Sequence, residues 1–147
     1  MLFNRIYLTL ALLLTTPAYA QVVDGDTLKL QGQKIRLLGI DAPERQQTCR
    51  DGSPCGKLST DQIRTLIGPS LPYCTAYGRD KYQRVLAECF ANAININREM
   101  VRTGWAIPYR GDARYGAEHA EAIRHQRGIY RHGGIEEPHL YRKRKKR

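Results

Sequence analysis

The chain has 147 residues, 41% hydrophobic and 26% charged, which excludes a disordered or collagen-like polypeptide and implies one domain with a modest core. Lys and Arg outnumber Asp and Glu 24 to 14, for a net charge of +10 and a pI near 9.7, so a polyanion is the first partner to consider. A mean hydropathy of −0.54 with a single apolar run excludes a polytopic membrane protein.

That run opens the chain. Arg5 precedes apolar Ile6 to Leu14, which is too short to span a bilayer, and Pro17 leads into Ala18-Tyr19-Ala20, the small-x-small pattern of a signal-peptidase site. Residues 1–20 therefore read as a signal peptide. A hydrophobic first helix is the poorer reading, because nothing caps it and the run stops at Thr15-Thr16-Pro17. The expected destination is the periplasm or the extracellular medium. All four cysteines lie beyond the cleavage site, an even count that suits an oxidising compartment. Cys49 and Cys55 flank a turn-like loop, and Cys74 and Cys89 fall on two strands of one hairpin, so the expected pairs are Cys49–Cys55 and Cys74–Cys89. Zinc is the rival, but neither pair has CxxC spacing and no histidine pair accompanies them.

Gln21 to Leu30 predicts a strand, Gln31-Gly32-Gln33-Lys34 a hairpin turn, and Ile35 to Ile40 a second strand. Ser53-Pro54 reads as an N-cap and first helical position of a helix with Leu58, Ile63, Leu66 and Ile67 on one face, stopped by Gly68-Pro69. Leu71 to Tyr77 and Tyr82 to Phe90 form a hairpin around Gly78-Arg79-Asp80. Asn97 caps a short helix ended by Gly104, and a last helix runs from about Tyr115 to Arg127. The order suggests an α+β fold, a small OB-type five-stranded β-barrel with about three helices. Residues 21–135 form the domain and residues 136–147 a basic C-terminal tail, whose unbroken basic run Arg142 to Arg147 reads as mobile.

Three clusters place charge where a core would not: Asp24-Gly25-Asp26-Thr27, the Arg36 to Glu44 run, and Asp80-Lys81-Tyr82-Gln83-Arg84. On a basic protein with a phosphodiester partner, carboxylates help only by holding a cation or handling a proton. Aspartates without accompanying His or Cys select a hard ion, Ca²⁺ or Mg²⁺. Arg36, in an otherwise apolar strand, must reach an acid or an anionic ligand; the plain structural reading is an ion pair with Asp41 or Glu44. Arg84, Lys81 and Tyr82 would, on position alone, be surface residues.

These three clusters in register, followed by Asn97 and Val101-Arg102-x-Gly104, resemble the staphylococcal nuclease (thermonuclease) family from about Val22 to Tyr130, and the cysteines resemble its exported Gram-negative members. The resemblance implies metal ligation by Asp26, Asp41 and the Ala42 carbonyl, with Asp24 as a nearby acid. It implies Arg36, Glu44 and Arg84 as catalytic residues and Lys81 and Tyr82 beside the substrate's terminal phosphate. Tyr109 is a looser match to a tyrosine packing near the nucleotide. On that reading Ca²⁺ neutralises a phosphate oxygen, Glu44 is general base or orients water, and the two guanidinium forks stabilise the five-coordinate phosphorus. The implied activity is endonucleolytic hydrolysis of DNA and RNA, single-stranded or frayed segments favoured, leaving 3′-phosphate and 5′-hydroxyl ends. A monomer without a stable protein partner is expected. A catalytically inactive OB-type nucleic-acid-binding protein is the alternative, and a basic exported protein that uses its tail on anionic surfaces is a third. Two departures stand out: the first hairpin is short, and cleavage after Ala20 would clip the first strand.

Overall fold

The computed structural model describes residues 19–147, so the expected signal peptide lies outside the described residues except for Tyr19 and Ala20. The first expected strand is two. β1 (Ala20–Asp24) and β2 (Thr27–Leu30) pair antiparallel, because the chain reverses at Gly25-Asp26 with Asp24 opposite Thr27. Any side chain at position 25 would collide with Ser59 Oγ, so glycine lets the next helix close over this turn. Cleavage after Ala20 would remove only the Ala20–Leu30 rung; Gln21, Val22 and Asp24 keep their partners.

Gln31 and Gly32, both at positive φ, make the two-residue turn into β3 (Gln33–Leu37). The second expected strand also breaks. Gly39 adopts φ 76°, and β4 (Ile40–Asp41) leaves the main sheet to pair with β8 (Ile107–Pro108). The Leu38 carbonyl at this bend accepts from Asn97 Nδ2 (3.1 Å) and from the Tyr115 hydroxyl (3.0 Å).

Helix α1 (Cys55–Ile67) starts one residue later than expected, with Pro54 rather than Ser53 at the cap and no side-chain cap. It buries a narrow face of Gly56, Ser59, Thr60, Ile63 and Ile67. β5 (Tyr73–Arg79) and β6 (Val85–Ala91) form the second hairpin, its turn two residues later than predicted, at Asp80–Gln83. β6 lies parallel to β3, which gives the order β1-β2-β3-β6-β5, with the short β7 (Ile94–Asn95) added on β6. The cap of α2 (Ile96–Arg102) is Asn95, whose side chain accepts from the Arg98 N–H. Asn97 is fully buried instead: it accepts from Cys89 N–H and donates to the Leu38 and Ala87 carbonyls, tying β6 to the bend.

Helix α3 (Gly116–Arg124) is shorter than expected, and a fourth helix, α4 (Pro138–Lys145), occupies the segment read as a mobile tail. The architecture is α+β and OB-type; among the described residues the sheet stays open rather than closing into a barrel, with four helices instead of about three. Val85, Ala87, Cys89 and Ala91 point inward from β6 onto Leu28, Leu37, Ile63 and Met100, so the opposite face carries Arg36 beside Leu86. Both expected disulfides are present. Cys74–Cys89 is a cross-strand pair that fastens edge strand β5, and Cys49–Cys55 closes the loop before α1 against Ile129. No helix among the described residues is long and apolar enough to cross a membrane.

Candidate active site

The site is assembled where β1, β3 and β4 end together. Arg36 Nη1 bonds Asp26 Oδ1 at 2.8 Å, and Nη2 bonds Asp41 Oδ1 at 2.8 Å. The other Asp26 oxygen accepts the Ala42 N–H at 2.9 Å, which sets the Ala42 peptide against that carboxylate. All three partners are buried, and the Arg36 side chain is 12% exposed. Burial works against the guanidinium charge, but Asp26 and Asp41 outweigh it and hold Arg36 above its ordinary pKa. Asp24 accepts the Asp26 N–H at 3.1 Å; burial and then the Asp26 charge push its carboxyl up to about 7.

Arg36 thus makes the expected pair with Asp41, adds Asp26, and does not pair with Glu44. Glu44 lies in the same cleft, positioned by a close backbone approach: a side chain at Gly56 would run into the Glu44 carbonyl, so α1 can press its N-terminus against this loop only with glycine there. Gln47 Oε1 accepts the Glu44 N–H at 3.1 Å and, through Nε2, ties the loop to the Glu136 carbonyl.

Arg84 comes from a separate element but lines the same cleft. Asp80 builds its turn: Oδ1 accepts the N–H groups of Tyr82 (2.8 Å) and Arg84 (3.0 Å), while Oδ2 accepts from Arg84 Nε at 2.7 Å. Burial opposes the Asp80 charge, but these bonds prevail and hold its carboxyl below the ordinary carboxylate value. Lys81 and Tyr82 are exposed on the same turn; Lys81 Nζ lies 5.1 Å from the Tyr82 ring centre. Tyr109, 37% exposed, also lines the cleft.

One element was not foreseen as part of the site. Arg142 of α4 reaches Asp41 Oδ1 at 3.0 Å and Glu44 Oε1 at 2.5 Å. Burial opposes its charge, but these two acids hold its pKa raised. His139 packs edge-on to Tyr109 with ring centres 6.4 Å apart. The signal was available in the sequence: Pro138 is a helix starter, and positions 139, 142 and 146 share one helical face. Asp80, the partner of Arg84, was also passed over as a positioning residue.

Among the described residues no three His, Cys, Asp or Glu side chains cluster as metal ligands. The hard-oxygen set is instead two carboxylates, Asp26 and Asp41, already gathered on neighbouring nitrogens of one guanidinium, next to the Ala42 peptide. That donor chemistry and convergence fit a hard divalent cation.

The chain is similar to several known proteins. The family described as staphylococcal nuclease homologue matches residues 34–131. An "Uncharacterized endonuclease" of Escherichia coli is 32% identical over 133 residues, covering 85% of this chain and 83% of the relative. The "Succinoglycan biosynthesis protein ExoI" of Rhizobium meliloti is 34% identical over 120 residues, covering 76% of this chain and 63% of that protein. An "Uncharacterized endonuclease" of Haemophilus influenzae is 35% identical over 95 residues, 61% of this chain and 50% of its own length.

Proposed function

Since the chain belongs to the staphylococcal nuclease family and is a nuclease, we propose that it is an exported, calcium-dependent endonuclease that cuts DNA and RNA and leaves 3′-phosphate and 5′-hydroxyl ends. One observation carries the reading: Asp26 and Asp41 converge on Arg36 beside Glu44, in a cleft that Arg84 lines from the other hairpin.

Asp26, Asp41 and the Ala42 carbonyl would hold Ca²⁺, which when bound supplies positive charge against the phosphate oxygens. The chain's own residues do the rest. Arg36 and Arg84 each present a planar fork of donors, so two guanidinium groups from different elements can take non-bridging oxygens as charge builds on them. Glu44, on a loop braced by Gly56 and Gln47, is the acid placed to accept a proton from, or orient, the attacking water. Lys81 and Tyr82 bind a terminal phosphate, and Tyr109 packs against a nucleotide. Recognition centred on phosphate explains cleavage of both nucleic acids, with single-stranded or frayed segments favoured because the cleft reads backbone rather than a groove.

Export through a cleaved signal peptide at residues 1–20 is supported by the sequence pattern there and by the two disulfides. The protein acts as a monomer in the periplasm or medium.

The test is a cleavage assay on heat-denatured DNA and on RNA across Ca²⁺, Mg²⁺ and Mn²⁺, with end-group analysis. Degradation of both substrates in Ca²⁺, arrest by a calcium chelator and 3′-phosphate products are expected. Full activity in chelator removes the metal assignment.

A further inference from the structure

Helix α4 lines the cleft with one face. His139, Arg142 and Lys146 are spaced three and four residues apart, so they stack along a single stripe. His139 meets Tyr109, Arg142 meets Asp41 and Glu44, and Lys146 lies close enough to Tyr82 that, after Lys81, its charge helps hold the phenol below its ordinary pKa. All three line the cleft, as does Lys143.

Little apolar packing holds this helix. Only Pro138 is buried, and Leu140 is 46% exposed. Its attachment is ionic: Arg142 to Asp41 and Glu44, and Arg144 to Glu136. Such contacts can be exchanged for others of the same sign, and a polyphosphate chain offers them. Arg142 also stands in the same relation to Asp41 as Arg36 does, since both donate to Oδ1 of that carboxylate. A divalent cation at Asp41 would remove the need for two guanidinium groups there, leaving Arg142 to point its free donors into the cleft.

We propose that α4 is a wall of the substrate-binding cleft and that Arg142 is a substrate-positioning residue, exchanging Asp41 and Glu44 for a phosphate that flanks the scissile one, with Lys146 gripping the strand one turn further on. The inference rests on the nuclease reading but concerns binding, so the two can fail separately.

The test uses the purified protein, a fluorescently labelled single-stranded oligonucleotide, and two readouts: equilibrium anisotropy over a salt series, and steady-state kinetics. Arg142→Gln weakens binding and raises KM about tenfold while kcat changes less than about threefold, and the slope of log affinity against log salt falls by about 0.7, as for one lost phosphate contact on a single strand. Arg142→Lys recovers part of the loss. Lys146→Gln, at a side chain with no ion pair among the described residues, weakens binding about threefold without touching Asp41 or Glu44, and so carries the test if the Arg142 variant misfolds. Arg124→Gln removes the same charge from the exposed face of α3 and leaves binding near wild type. Unchanged or tighter binding by both Arg142→Gln and Lys146→Gln overturns the proposal; tighter binding makes α4 a plug to be displaced. If the wild-type protein binds the oligonucleotide but never cuts it, the nuclease reading fails while the wall is judged on the same binding data.

Discussion

Arg36 and Arg84 face one cleft, but they are held there in opposite ways. Arg36 is nearly buried, and its acids come from elsewhere in the fold: Asp26 from the β1–β2 turn and Asp41 from β4, beyond the Gly39 bend. Arg84 is about twice as exposed along its side chain, at 24% against 12%, and its acid is Asp80, four residues earlier in its own turn. One guanidinium is fixed by tertiary structure, so its loss would touch the fold as well as its proposed role in cleavage. The other is fixed by a local turn and is dispensable to the fold. Two arginines proposed for one reaction therefore rest on very different structural support.

Mutation separates the two. Arg36→Ala leaves Asp26 buried without a counter-ion and Asp41 with Arg142 alone, so unfolding free energy should drop by about 3–5 kcal/mol, and turnover should fall by about 10²–10³. Urea denaturation and single-substrate kinetics read both; unaltered stability would break the contrast. Arg84→Lys should lose about a hundredfold in turnover, since an ammonium cannot reproduce the fork, but should stay within about 1 kcal/mol of wild type in stability. A large stability loss there would mean the Asp80 turn is not autonomous.

A smaller effect sharpens the picture on the hairpin side. Cys74→Ser with Cys89→Ser frees β5, whose hairpin carries Arg84, and should cost about 3 kcal/mol by the loop-closure model; Cys49→Ser with Cys55→Ser closes a shorter loop and should cost about 2 kcal/mol. Thermal melts with and without reductant measure the difference, and the reverse ranking would show that the loop before α1, close to Glu44, matters more than its length suggests.

The smallest expected effect lies away from both arginines. His119 bonds the Tyr130 hydroxyl at 2.6 Å, and burial holds its imidazole below the ordinary value. Protonation is then easier in the unfolded chain, so its contribution to stability is intact above the ordinary histidine pKa of about 6.5 and is lost as pH falls below it. His119→Gln should flatten the pH dependence of the urea midpoint between neutral and mildly acidic solution. An unchanged slope would place the titrating group elsewhere.

Much of this was readable before any coordinates, for reasons particular to each residue. An arginine flanked by Ile35 and Leu37 has to find acids because burying a lone guanidinium is so costly; of the two expected partners, Asp41 is used and Glu44 is not. The cysteine pairs followed from loop and hairpin geometry. Errors gathered where backbone bends are decided by distant partners. Gln21 to Leu30 read as one strand, yet the chain reverses at Gly25-Asp26, where Ser59 of α1 leaves no room for a side chain at position 25. Asn97 looked like a cap, yet its side chain is spent inside the fold on β6 and the Leu38 carbonyl.

The residues of the cleft were named by the family resemblance, while the sequence pattern by itself determined the basic charge, the OB-type order of strands and helices and the disulfide partners. These depend on local periodicity, turn chemistry and the high cost of an unpaired buried charge, all of which act over a few residues. Only the tertiary structure decided that the sheet stays open, that Asp26 shares Arg36 with Asp41, and that α4 returns to lay Arg142 across Asp41 and Glu44. The last two join residues 10 and 101 positions apart in the chain, and no short-range preference specifies which distant acid a guanidinium will choose once several lie within its reach.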